Sequence, residues 1–279
     1  MVLETHKQMG LRRFKNSSPR ADPVIVKAPV LPPHEVRSNP RDLEALATIW
    51  RWEGVVRRLL PRVLASGQID ARFQAIFDVR SSVPVLRGYE AYARFPAAPR
   101  IPAGLWFSTA ERVGLSEGLS LAAGRVALAN LDRLPTTAVL FVNTSPGVAT
   151  NLASGLTESQ AARVVFDIAG YAFDRAGTVE ALEFVRGCGV GVSFDDGALA
   201  DDSLDRVAAS EGVLDFVKID ALNTTASTLE MSRRLSDWCH RRGIFLVAKR
   251  AEGMTELEQL REAGIDWAQG HILSRPTHL

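Results

Sequence analysis

From Ala71 onward the chain repeats one pattern: a short apolar run of strand length stops at a polar or charged residue, and a helix-length stretch precedes the next run. Val139 to Val142 stops at Asn143, Arg163 to Phe166 at Asp167, and Val190 to Phe194 at Asp195-Asp196. Val213 to Val217 stops at Lys218-Ile219-Asp220, Ile244 to Ala248 at Lys249, and Ile265 to Ala268 at Gln269-Gly270. Helical stretches such as Thr178 to Arg186, Thr225 to Arg242 and Met254 to Ala263 fall between them. Continuous apolar runs of this length suit strands buried on both faces, which a parallel sheet covered by helices provides.

Two earlier runs, Phe73 to Val79 and Val85 to Phe95, flank Ser81-Ser82 and read as a hairpin-like opening, the second run carrying Glu90 among apolar neighbours. Seven or eight strands in all point to a closed α/β barrel of the (β/α)8 type, in which the C-terminal strand ends converge on one mouth. An open doubly wound sheet would spread those polar residues along an edge, and no glycine-rich dinucleotide fingerprint follows the early strands.

Residues 1 to 40 break the pattern. They hold six of the fourteen prolines and seven lysines and arginines, Lys7, Arg12, Arg13, Lys15 and Arg20 among them, without a sustained hydrophobic period, which predicts a disordered, basic and proline-rich leader. The folded part is then 41–279, beginning with a helix over Arg41 to Leu60 that continues past Pro61 through a kink or a fresh start. Trp106 to Leu134 reads mostly as helix. An apolar content of 46% supports a large core, and a formal charge of +1 gives no global attraction to nucleic acid or membrane. Cys188 and Cys239 stand far apart with no metal-binding spacing and read as reduced thiols. The sequence has neither an apolar span of membrane length nor the apolar core of a signal peptide, so the expected location is cytoplasmic.

The barrel mouth would gather Glu90, Asn143, Asp167, Asp195, Asp196, Lys218, Lys249 and Gln269. Crowded carboxylates repel unless a cation joins them, and oxygen-only donors favour magnesium, manganese or calcium over zinc. Adjacent aspartates can serve two metals in the displacement chemistry of phosphodiesters. Any one strand-end aspartate could equally cap the following helix; repetition on successive strands is what favours a site.

The residues themselves resemble the EAL-domain cyclic-di-GMP phosphodiesterases. Phe73-Gln74-Ala75-Ile76 followed by Gly88-Tyr89-Glu90-Ala91-Tyr92-Ala93-Arg94 is similar to the family's QPI strand and GYEALLR motif. FVNTSP (Phe141 to Pro146), FDIAG (Phe166 to Gly170), SFDDG (Ser193 to Gly197), DFVKID (Asp215 to Asp220) and WAQGHILSRP (Trp267 to Pro276) follow in the family's order. The resemblance runs from about Trp52 to the C-terminus. It implies a modified TIM barrel and, in active members, hydrolysis of one phosphodiester of cyclic-di-GMP to the linear dinucleotide pGpG with magnesium or manganese. It also implies metal ligands at Glu90, Asn143, Asp167, Asp195 and Asp196, a water-holding Lys218, a supporting Gln269, and nucleotide contacts from Gln74 and Arg94.

The departures bear on activity. Tyr92 replaces the leucine of the family motif, Asp167 replaces a glutamate ligand, and Gly170 stands where a second glutamate steadies the loop after the aspartate pair. That loop, DDFGTG in the family, reads Asp195-Asp196-Gly197-Ala198-Leu199-Ala200. Active members read VVAEGVET in the penultimate strand. Counting from Gly243 or from Gln269 gives the same ungapped register, which puts Lys249 in the place of the metal-binding, general-base glutamate. Ala251-Glu252-Gly253 only imitates the motif, and Glu252 already matches the family's next glutamate. An ammonium in that place removes a ligand and a proton acceptor together, and it can pair with Asp195 or Asp196. The expectation is therefore a degenerate EAL domain, impaired in catalysis, that binds cyclic-di-GMP or a protein partner, a second copy of the chain included. The alternative is an active phosphodiesterase working with one metal or with Glu252 as substitute base. Magnesium or manganese is expected if the ligand set still works, and no metal otherwise.

Overall fold

The computed structural model of the chain describes residues 40–197, 203–221 and 226–279, leaving aside the side chains of 40–47, 196, 203, 204, 206 and 226. The chain divides into two units, Met1–Leu46 and Ala47–Leu279. Of the first, only the start of helix α1 (Pro40–Ser66) is described, and the expected leader at 1–40 lies almost wholly outside the described residues.

Eight strands close the second unit into a barrel in sequence order. They are β1 (Asp70–Asp78), β2 (Val85–Arg94), β3 (Val139–Thr144), β4 (Val164–Ala169), β5 (Gly191–Gly197), β6 (Phe216–Asp220), β7 (Phe245–Lys249) and β8 (Trp267–Ala268). All neighbours from β2 to β8 pair in parallel, whereas β1 runs antiparallel to both β2 and β8. The short β1–β2 connection forces the first of these reversals; the second follows from closure, because β8 shares the direction of β2.

The helices are α2 (Ala103–Arg112), α3 (Ser116–Leu128), α4 (Pro146–Ala153), α5 (Glu158–Ala161), α6 (Thr178–Gly187), α7 (Ser203–Ala208), α8 (Ala226–His240) and α9 (Met254–Glu262). The expected Trp106 to Leu134 helix is two helices, because Gly114 takes a positive φ of 72° and reverses the chain between them. Pro61, in contrast, neither ends α1 nor starts a new helix. Val56, Leu60 and Val63 recur at helical spacing on one face of α1 and pack in a cluster with Trp106, Leu119 and Phe95, whose ring stacks on Trp106 at 4.4 Å.

Alternation along the strands builds the mouth. One set of side chains points outward into the layer shared with the helices, as Val217 and Ile219 do on β6. The other set points inward and forms a separate cluster of Ile76, Phe141, Val165, Phe216, Val247 and Trp267. Phe216 meets Phe141 at 5.1 Å and Trp267 at 5.2 Å between ring centroids, closing one end of the barrel with aromatic contacts. Two residues further along each strand the inward side chain is polar: Asn143 after Phe141, Asp167 after Val165, Lys218 after Phe216, Lys249 after Val247 and Gln269 after Trp267.

Candidate active site

The polar layer rests on the aromatic plug. Lys218 is fully buried, and its ammonium lies 5.2 Å from the centre of the Phe141 ring. From there it donates to Glu90 Oε2 at 2.6 Å and to Asp167 Oδ2 at 2.5 Å, joining β6 to β2 and β4 across the barrel. Glu90 also accepts from Asn143 Nδ2 at 2.8 Å and from Gln269 Nε2 at 2.6 Å. The sequence places these polar residues at the ends of apolar runs; the ladders continue past them, pairing Asn143 with Asp167 and Thr144 with Ile168. Glu90, Asn143, Asp167 and Lys218 are thus held in strand geometry rather than in loops, and Gln269 follows directly on the last residue of β8.

The two carboxylates on Lys218 separate in acidity. Burial pushes the Glu90 carboxyl up, but the Lys218 charge and hydrogen bonds from Lys218, Asn143 and Gln269 outweigh it and hold the group at about 2. Asp167 moves the other way, to about 6, because burial raises it and the charges of Glu90 and Asp195 add to that against the pull of Lys218. Its Oδ1 is buried and accepts no hydrogen bond among the described residues. For Lys218, burial disfavours the charge, yet Asp167, Glu90 and Asp195 override it and raise the ammonium above its ordinary value.

A second set lies above. The Lys249 ammonium pairs directly with Asp195 Oδ1 and stands 3.4 Å from Asp220 Oδ1, with only 13% of its side chain exposed. Arg250 Nη1 reaches the other oxygen of Asp220 at 3.4 Å. Asp220 closes an apolar run and the DFVKID motif, and no local pattern signals that it shares Lys249 with Asp195. The contact is made across the β6–β7 ladder, where Asp220 pairs with Lys249.

Tyr92 joins the two glutamines. Gln269 Nε2 donates to the Tyr92 hydroxyl at 3.0 Å, and that hydroxyl donates to Gln74 Oε1 at 3.3 Å. Gln74 Nε2 in turn donates to the Ser274 carbonyl at 2.8 Å. Burial above all, with Glu90 nearby, raises the phenol's pKa, so the hydroxyl stays neutral and serves both bonds.

A cavity of about 640 Å3 opens over these residues. Glu90, Tyr92, Gln74, Asn143, Asp195, Lys249 and Gln269 line it, as do Asp220, Arg250, Glu252 and His271. Lys218 and Asp167 lie beneath the lining. Arg94, an expected nucleotide contact, is exposed and outside it, its guanidinium 5.9 Å from the Tyr92 ring centre and bonded to the Ala93 carbonyl. Gly170 is buried at the start of a 3-10 turn after β4. The side chain of Asp196 and the loop at 198–202 lie outside the described residues.

The donor chemistry suits a hard divalent cation, while the described side chains are engaged with one another. Among the described residues no three acidic, histidine or cysteine side chains converge closely enough to hold an ion. Both Glu90 oxygens accept hydrogen bonds, Asn143 turns its N–H toward them, and lysine ammoniums lie on Asp167 and Asp195. Glu90, Asp167, Asp195 and Asp220 carry four negative charges, and Lys218, Lys249 and Arg250 return three. Side-chain cations therefore already neutralise most of the cluster.

A closed barrel with an antiparallel first strand and an acid, amide and lysine layer at its mouth defines a class of protein. The chain belongs to the EAL domain family, whose model matches residues 57–276. No curated protein matches it in sequence. Among solved structures it is similar to an EAL domain protein from Listeria monocytogenes EGD-e, with 21% identity, a TM-score of 0.65, and coverage of 77% of this chain and 91% of that one. It is also similar to the FimX EAL domain from Pseudomonas aeruginosa bound to c-di-GMP, with 18% identity, a TM-score of 0.67, and coverage of 80% and 96%. Klebsiella pneumoniae BlrP1 in a calcium and cy-diGMP complex matches with 20% identity, a TM-score of 0.65, and coverage of 75% of this chain and 56% of that one. At these identities the likeness shows the fold. No described helix is long and apolar enough to cross a membrane.

Proposed function

We propose that this chain is a degenerate EAL-domain signalling protein that binds cyclic-di-GMP in the 640 Å3 cavity and hydrolyses it poorly. The observation that carries the reading is the Lys249 ammonium on Asp195. Hydrolysis of a phosphodiester needs an activated water, and a protonated amine paired with two carboxylates has no lone pair to take the water's proton. Loss of general-base action alone costs about 10²- to 10⁴-fold. The same ammonium sits on Asp195, one of the residues that would hold a metal ion, so Glu90, Asn143, Asp167 and Asp195 act in this reading as a fixed, internally neutralised floor. Gln74, Tyr92 and Gln269, preset by their mutual hydrogen bonds, offer polar groups to the nucleotide.

Titration calorimetry and product analysis on one preparation test this, with and without manganese. The expected outcome is saturable binding in both conditions with turnover below about 10⁻² s⁻¹, at least a hundredfold under the low end of ordinary enzymes. Turnover above about 1 s⁻¹ would sink the reading. Absence of binding in both conditions would instead favour a protein partner as the ligand of this domain. One observation favours the alternative of a working enzyme: Glu252 lines the same cavity as Asp195. Loss of measurable turnover in Glu252→Gln would support it.

A further inference from the structure

We propose that Arg250 is a phosphate-binding residue of the cavity, meeting the ligand's phosphodiester with its guanidinium where a metal ion would otherwise do so. This rests on the reading of the ligand as cyclic-di-GMP. Arg250 is the one non-glycine residue with positive φ, 62°, among the described residues, a conformation disfavoured for a side chain bearing a Cβ. In the ungapped register it stands at the glycine of VVAEGVET, and Gly253 of the imitating tripeptide has an ordinary extended φ of −136°. The turn is fixed from both sides. The Ala251 amide donates to the Gln269 carbonyl at 3.0 Å, and the Ile272 amide to the Ala251 carbonyl at 3.3 Å. Gly270 packs so closely that a Cβ there would lie 1.9 Å from the Ala251 carbonyl oxygen. The backbone thus calls for glycine at 250, and the sequence supplies arginine. Strained residues held in place by their surroundings cluster at ligand sites.

What the side chain does there follows from where the other cations are. Lys218 is fully buried between Glu90 and Asp167, Lys249 is shared by Asp195 and Asp220, and Arg94 stands outside the lining. Arg250 lines the cavity with 57% of its side chain exposed, and its one ion pair among the described residues uses a single nitrogen, Nη1, on Asp220. The remaining N–H groups of the fork match the two free oxygens of a phosphodiester, the geometry that makes arginine a strong phosphate ligand.

The test is calorimetric titration of the full chain with cyclic-di-GMP, comparing wild type with Arg250→Gly and Arg250→Lys, alongside thermal melts of each free protein. Glycine removes the fork and relieves the backbone, so Arg250→Gly binds at least about tenfold more weakly while melting about 2–4 °C higher. Arg250→Lys keeps the charge without the fork and binds with intermediate affinity. Wild type and Arg250→Gly binding equally well would overturn this assignment and leave the proposed function standing. Wild type failing to bind at all would overturn both.

Discussion

At position 249, where the register of the sequence leads one to expect a glutamate, a lysine changes the local charge by two units beside Asp195 and Asp220. Register alone makes the exchange legible, because it depends only on counting from flanking residues. Its consequence is not legible, since the shared contact with Asp220 exists only across the β6–β7 ladder. Restoring the acid puts three carboxylates together, so Lys249→Glu should melt lower than wild type in chelator and regain several degrees with manganese, whereas wild type should shift little in either condition. Differential scanning fluorimetry with a manganese titration checks this. Lys218 is the stricter case. Lys218→Met leaves Glu90 and Asp167 buried without their counter-ion and should cost about 3–5 kcal/mol in urea unfolding. Tyr92, a plain departure from leucine in the sequence, acquires a role through partners at 74 and 269. Tyr92→Phe removes both hydroxyl bonds and should cost about 1–2 kcal/mol, with weaker nucleotide binding.

Among the elements, the β1–β2 hairpin holds its base together with charge. Asp78 accepts from Arg80 Nε at 3.1 Å and Nη2 at 2.6 Å, and from Arg87 Nη2 at 3.2 Å. The side-chain bonds from Arg80 hold its carboxyl below the ordinary range against the opposing effect of burial. A lowered acid contributes stability that is present above its ordinary pKa and lost as pH falls through and below that range. Asp78→Asn should therefore cost about 1 kcal/mol at pH 7, the exposed arginines limiting the effect, and the difference from wild type should shrink by pH 3. Urea midpoints at the two pH values measure it. Most strands were readable because their apolar runs are continuous. The antiparallel pairing of β1 with β8 was not, because it links Phe77 to Ala268 and nothing local encodes that contact. The division of the long α2–α3 stretch turned on a single glycine within a helix-like pattern.

For the whole molecule, repeated strand and helix units with polar strand ends were enough to indicate a barrel and the face that carries its candidate site. The inward aromatic plug was hidden, since Phe141, Phe216 and Trp267 look like any other core residues until closure brings their rings together. The described core begins at Val56 on α1, well after the proline-rich stretch. Deleting residues 1–39 should therefore move the melting temperature by less than about 2 °C and leave nucleotide affinity within about twofold. If the leader instead contributes to the fold or the site, one of those two quantities will change beyond these limits.

Binding and chemistry separate most directly in a single-turnover experiment: wild-type protein in excess over labelled cyclic-di-GMP, with manganese, quenched over time and resolved for the linear dinucleotide. With Lys249 on Asp195, the nucleotide should be bound and recovered intact after many minutes. Conversion of the bound nucleotide to pGpG within seconds would contradict the account.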